Sequence, residues 1–219
     1  NFHYQTDGWL SEDSAEIYDH QVEALFTGAA DAMRRMALAQ LVGQIQGADQ
    51  REVQVLDLAC GTGRFMSQVM SAMPKLQLTG LDLSPPYAQA AREHVKRWPH
   101  VEIVEGAAEA LPFECDSFDH LISIYLFHEL PPEVRGAVLA EVFRVLKPGG
   151  LFVLADSLQF GDNKGLDGIL EYFPHGFHEP YYTSYLSWDV AGACAAQGFV
   201  KERETLAFLT KITTWRRPL

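Results

Sequence analysis

The chain predicts an α/β fold, a three-layer sandwich with helices on both faces of a mostly parallel sheet. Three observations lead there. From residue 53 onward, short branched apolar runs alternate with helix-compatible segments, the pattern of parallel strands joined by right-handed helical crossovers. The first run, Val53 to Leu58, breaks into Ala59-Cys60-Gly61-Thr62-Gly63 just ahead of a helical segment. A tight glycine turn there leaves free backbone N–H groups that a ligand can approach closely. The next run, Leu76 to Leu81, ends in Asp82, about 20 residues after the glycines, where a carboxylate can hold a ribose diol.

In chain order, the first ten residues read as loop and turn, and Ser11 is a fitting N-cap for a helix through Phe26. A second helix is expected over 29–45, with Met33, Met36, Ala37, Leu41 and Ile45 on one core-facing stripe. Then follow strand 53–58, helix 63–73, strand 76–81, helix 85–97 and strand 101–104. Strand 119–124, helix 131–146 and strand 151–155 continue the alternation. Residues 1–50 are read as a helical cap on the same domain, and 51–219 as a nucleotide-binding core with an aromatic-rich insertion at about 157–187.

Bulk properties narrow the class. A chain of 219 residues that is 47% hydrophobic fits one domain with a substantial core. No apolar run reaches the length of a membrane span, and no secretory apolar region is seen. Three cysteines (Cys60, Cys115, Cys194) without C-x-x-C pairing fit a reducing, intracellular and cytoplasmic setting rather than a disulfide framework or zinc site. Because the chain starts at Asn1, an organelle remains open if a leader was removed. A formal charge of −12 argues against nucleic acid as the substrate.

The turn Gly61-Thr-Gly63-Arg-Phe-Met66 lacks the third glycine of a dinucleotide fingerprint, which disfavours a nicotinamide-dependent oxidoreductase. Leu56-Asp-Leu-Ala-Cys-Gly-Thr-Gly63 instead resembles the first motif of class I S-adenosylmethionine (SAM) methyltransferases, most closely the ubiquinone/menaquinone-biosynthesis branch. Three more segments match that family in order: Gly80-Leu-Asp-Leu-Ser84, Gly106-Ala-Ala-Glu-Ala-Leu-Pro-Phe113 leading to Ser117-Phe-Asp119, and Arg144-Val-Leu-Lys-Pro-Gly-Gly150. The resemblance covers roughly residues 52 to 156. It implies a Rossmann-like sheet of seven strands with one antiparallel strand, closing in a hairpin from about 199–204 and 206–214. It also implies SAM as the cofactor.

By that resemblance, the turn Ala59–Gly63, with Gly61, Thr62 and Gly63, receives the methionine and sugar parts. Asp57 orders the turn or reaches the amino group. Asp82 accepts both ribose hydroxyls, since one carboxylate has two oxygens for a diol, and Leu83 packs on the adenine. The family commonly has Asp where this chain has Ala107, so Glu109 or the backbone near Ala108 is left to meet the adenine amino group. Tyr18, on the first helix, is expected over the cofactor. Ile124 and Tyr125, at the end of the fourth strand, complete the cleft. Pro148-Gly149-Gly150 is read as a structural turn.

His128, just past the fourth strand, is the candidate catalytic residue, a base or a contact to cofactor or acceptor. The insertion holds Phe160, Tyr172, Phe173, Phe177, Tyr181, Tyr182 and Tyr185 among Gly and Pro residues, which suits a lid over a flat or lipophilic small molecule. Phe173, His178, Glu179 and Tyr182 are read as pocket residues, with Tyr4, Gln5 and Trp9 closing the other side. His175-Gly-Phe-His-Glu179 is too weak a cluster for a metal, and none is expected. The expected activity is methyl transfer to O or C of a small, aromatic or isoprenoid-like acceptor. The alternative is a non-catalytic SAM-binding protein. No oligomeric state is indicated.

Overall fold

The computed structural model describes residues 7–219. Two helices open the chain, α1 (Glu12–Leu25) and α2 (Ala30–Ile45). Ser11 caps α1 by accepting from the Ser14 amide at 3.2 Å, as its residue type and position predict. A short 3₁₀ turn at Gln50–Glu52 leads into β1 (Gln54–Leu58). Then come α3 (Arg64–Ala72), β2 (Gln77–Asp82), α4 (Pro85–Val95), β3 (Glu102–Glu105) and β4 (Phe118–Ile124). A second 3₁₀ turn, Phe127–Glu129, precedes α5 (Pro132–Val145) and β5 (Leu146–Ser157). The insertion is helical, with α6 (Asp167–Phe177) and α7 (Tyr182–Leu186); α8 (Val190–Ala196) follows it, and the chain closes with β6 (Val200–Ala207) and β7 (Thr210–Arg216).

The seven strands lie in the order β3-β2-β1-β4-β5-β7-β6. Strands β1 to β5 pair in parallel, while β7 runs antiparallel to both β5 and β6. The order reverses between β1 and β4, so the ligand crevice opens beyond the carboxyl ends of those two strands. Strand β5 shows why both faces are covered. Leu151, Val153 and Ala155 pack with α2 and α3 residues on one face. Phe152 and Leu154 join Val138, Leu139 and Val142 of α5 on the other. A strand buried on both sides reads as a continuous apolar run, which is how β1 and β5 stood out in the sequence.

The motif residues lock the frame. Asp119 accepts from the Gln54 amide at 2.9 Å and pairs with Lys147 at 2.8 Å, tying β4 to the start of β1 and of β5. Arg144 forms a two-point pair with Glu141 and donates to the carbonyls of Leu111 and Phe113.

Several expectations need correcting. Strand β5 begins at Leu146, not 151; Pro148-Gly149-Gly150 sits inside it as an irregularity, because the partner of Phe118 is Leu146 and that of His120 is Leu151. Met36 is 39% exposed and leaves the α2 stripe, whereas Arg34 and Leu38 are buried there. The insertion is more regular than its Gly and Pro content suggested. Pro174 is accommodated late in α6, where its carbonyl accepts from the His178 cap.

Candidate active site

At the carboxyl end of β1 the chain turns sharply. Ala59 (φ 59°) and, at the end of neighbouring β4, Tyr125 (φ 58°) both adopt left-handed backbone without being glycine. Such conformations cost of order 1–3 kcal/mol each and cluster at functional sites. Gly63 has φ 78°, and a Cβ there would lie 2.9 Å from the Ala91 Cα of α4. This closeness seats the turn against the next helix.

Asp82 holds the turn from the adjacent strand. Its Oδ2 accepts from the Gly61 amide at 2.8 Å, and its Oδ1 from the Ser84 amide at 2.9 Å. Burial raises its pKa, and these backbone bonds oppose the rise. Each carboxylate oxygen keeps a further lone pair for a hydroxyl. Leu83, next in the chain, stands 52% exposed as a bare apolar platform. Beyond β3, Ala108 is buried, Ala107 is half-buried and Glu109 is exposed. The Gly106 amide donates to the Asp82 carbonyl at 3.0 Å, which keeps this loop beside the β2 end.

A cavity beside the turn is lined by Tyr18, Arg34, Asp57, Gly61, Ile124 and Tyr125, among others. Asp57 is only 2% exposed, yet its Oδ2 has no hydrogen-bond partner among the described residues. Burial, then the charge of Asp82, push its pKa well up, with Arg34 opposing. A buried carboxylate oxygen left without a donor is costly in an isolated chain, and a ligand ammonium would relieve that cost.

Arg34, on the cavity wall, donates to Asp31 at 3.0 Å, and Asp31 also receives a two-point pair from Arg64. An ammonium-seeking carboxylate and a guanidinium on one small cavity fit the two ends of an amino acid.

Arg34 was missed in the sequence, where the α2 stripe read as pure core. The available signal was a charged residue at the same helical spacing as Ala37, Leu38 and Leu41. Tyr18 lines the same cavity: its ring sits about 4.0 Å from where a Gly61 Cβ would be and meets Tyr87 edge-on at 5.2 Å. Burial raises its pKa strongly. Thr62 donates to Asp19 at 2.9 Å, fastening α1 to the turn.

The second half of the site is built around His128. Its Nδ1 meets Asp156 Oδ1 at 2.6 Å, and its Nε2 lies 3.5 Å from Glu179 Oε2, all three side chains buried. Asp156 is anchored by the Phe127 and Ser157 amides at 2.8 and 2.7 Å. Burial by itself would lower the His128 pKa. The charges of Asp156 and Glu179 and the Asp156 hydrogen bond prevail and raise it to about 10.

The rings of Tyr125, Tyr182 and Tyr185 meet this imidazole edge-on at 6.0, 5.6 and 6.2 Å. Tyr125 therefore joins the cofactor cavity to His128.

The remaining pocket candidates divide. Phe173 stacks on Phe177 at 4.7 Å and meets the tilted ring of Tyr182 at 4.8 Å, and the Tyr182 hydroxyl bonds Ser157 on β5. His178 is exposed at the α6 cap. The Trp9 carbonyl accepts from Ser84 Oγ at 2.6 Å. Tyr4 and Gln5 lie outside the described residues. Among the described residues, the metal-capable group that forms is His128, Glu129 and Glu179, with ligand atoms within 4.8 Å of one another, rather than the His175–Glu179 run of the sequence.

Comparison with known proteins bears on this geometry. Residues 55–150 match a family model described as methyltransferase domain. The chain is 35% identical over 145 residues to demethylmenaquinone methyltransferase of Chlorobaculum tepidum, covering 64% of this chain and 55% of that protein. It is 40% identical over 102 residues to phthiotriol/phenolphthiotriol dimycocerosates methyltransferase of Mycobacterium leprae, covering 47% and 37%. The chain thus matches about half the length of the first relative and less of the second.

In three dimensions it superposes on the 1,6-didemethyltoxoflavin-N1-methyltransferase of Burkholderia thailandensis, solved with its acceptor and S-adenosylhomocysteine. The TM-score is 0.65 at 22% identity, over 96% of this chain and 88% of that one. At that identity the likeness concerns the fold.

Proposed function

We propose that residues 55–150, which match a methyltransferase-domain family model, form a class I SAM-dependent methyltransferase domain resembling the quinone-biosynthesis branch, and that the chain is an enzyme that methylates a small, lipophilic aromatic or isoprenoid-like molecule at oxygen or carbon. The observation that carries cofactor use is the buried, unpartnered Asp57 oxygen facing a cavity that also holds Arg34. Asp57 would take the ammonium and Arg34 the carboxylate of the methionine part. Asp82 would take the ribose diol and Leu83 the adenine face, with the backbone near Ala108 beside it.

SAM supplies a methyl group already activated on a sulfonium, so the protein's main task is in-line positioning of the acceptor. His128 serves that task differently from a general base. Held between Asp156 and Glu179 it is protonated at neutral pH, and a protonated imidazole has no lone pair to take a proton. It holds its Nε2 proton on the acceptor side, where it can orient an oxygen by a charged hydrogen bond. The aromatic side chains of α6 and α7 beside His128, Phe173, Tyr182 and Tyr185, suit contact with a flat, apolar acceptor.

Two measurements test this. Calorimetric titration with SAM, S-adenosylhomocysteine and NADH should show binding of the first two; NADH binding without SAM binding would refute the cofactor assignment. Methyl-labelled SAM incubated with the protein and a cell extract should place label in the organic-soluble fraction. Label in protein or nucleic acid would refute the acceptor class. SAM binding with no transfer would replace the enzyme by a non-catalytic SAM-binding protein.

A further inference from the structure

Arg135 on α5 is 1% exposed, and no ion pair among the described residues includes it. A guanidinium buried without a carboxylate partner is expensive, so its hydrogen bonds must be numerous and well aimed. They are. Nε donates to the carbonyls of Phe127 at 3.1 Å and Leu130 at 3.2 Å, one on either side of the His128 turn. Nη2 donates to the Tyr181 carbonyl at 3.0 Å and Ser184 Oγ at 2.8 Å, both at the start of α7 in the lid. The charge is further accommodated by the Trp188 and Tyr185 rings, whose centroids lie 5.3 and 5.8 Å from the guanidinium carbon.

One rigid fork therefore spans two segments distant in sequence, 127–130 and 181–184. One segment carries His128; the other follows directly on Glu179 and contains Tyr182. Ring edges and the Glu179–His128 approach also join the α7 region to the His128 turn. We propose that Arg135 is a positioning residue that clamps the lid onto the His128 turn and so sets the approach of Glu179 to His128 Nε2. This rests on the proposed function only for placing His128 on the acceptor side; the clamp itself is independent of it.

Lysine keeps the charge but presents a compact ammonium instead of a planar fork, so it cannot bridge both segments. Arg135→Lys and Arg135→Gln should each raise amide hydrogen exchange in residues 181–186 by about tenfold or more. In the same variants the ring-nitrogen NMR signals of His128 should move toward those of an imidazole with one carboxylate neighbour. SAM affinity, read calorimetrically, should stay within about threefold, since the cofactor cavity shares no hydrogen bond with Arg135.

Ser184→Ala, which removes one lid-side acceptor, should move exchange in the same direction by less, and it gives the test if Arg135→Gln does not fold. Unchanged lid exchange and unchanged His128 signals in folded Arg135→Lys would overturn the clamp. A wild type that binds no SAM would refute the cofactor reading and leave the lid measurement valid.

Discussion

Asp57 and Asp82 are chemically alike and do different work because of what surrounds them. Asp82 is held by two backbone amides, so its carboxylate is stabilised before any ligand arrives. Replacing it by alanine should weaken SAM binding by about 1–3 kcal/mol and loosen the glycine turn; unchanged affinity in a titration would exclude the diol role. Asp57 has an oxygen with no partner, so Asp57→Asn should raise the melting temperature of the unliganded protein while lowering SAM affinity, the usual opposition of stability and function.

His128 shows the reverse electrostatics. Its folded pKa of about 10 lies above the ordinary 6.5, so its stabilising contribution is complete below about pH 6.5 and is lost as pH rises through 10. Melting temperature should therefore fall over pH 6.5–10 more steeply in the wild type than in His128→Gln, and parallel curves would contradict the raised pKa.

Among the elements, the absent third glycine of the turn has a structural counterpart. Met66 stands at that position, fully buried, and a Cβ on Gly80 of β2 would lie 2.6 Å from its sulfur and 2.9 Å from the Cys60 sulfur. The small residue that permits close packing has moved from the helix to the neighbouring strand. Gly80→Ala should cost about 1–3 kcal/mol by overpacking, eased when Met66 is shortened to alanine in the same chain. Gly63→Ala should cost more and resist such rescue. There the obstacle is the α4 backbone at 2.9 Å and the backbone must hold φ 78°. Chemical denaturation of the three variants would rank them.

Across the whole molecule, cofactor binding and folding should be linked. A ligand present at 100 times its Kd adds about 2.7 kcal/mol to stability, which for a chain of 219 residues is a rise in melting temperature of roughly 5–10 °C. S-adenosylhomocysteine should do the same; no shift with either would count against the site. Among the described residues no helix is long and apolar enough to cross a membrane, and the three buried clusters sit on the two sheet faces and under the lid.

The sequence by itself determined the alternating core, the glycine turn, the acidic strand ends and the aromatic character of the insertion, because each is a local pattern of period, turn chemistry or composition. It also marked His128, Glu179 and Tyr182 separately. Only the tertiary structure decided that these three meet, that Asp156 completes the group, and that the two flanking carboxylates raise the His128 pKa. Arg34 and Arg135 are charges on helices that only the fold shows to be buried. The Arg135 fork reaches Tyr181 and Ser184, and no local pattern encodes partners so distant in sequence.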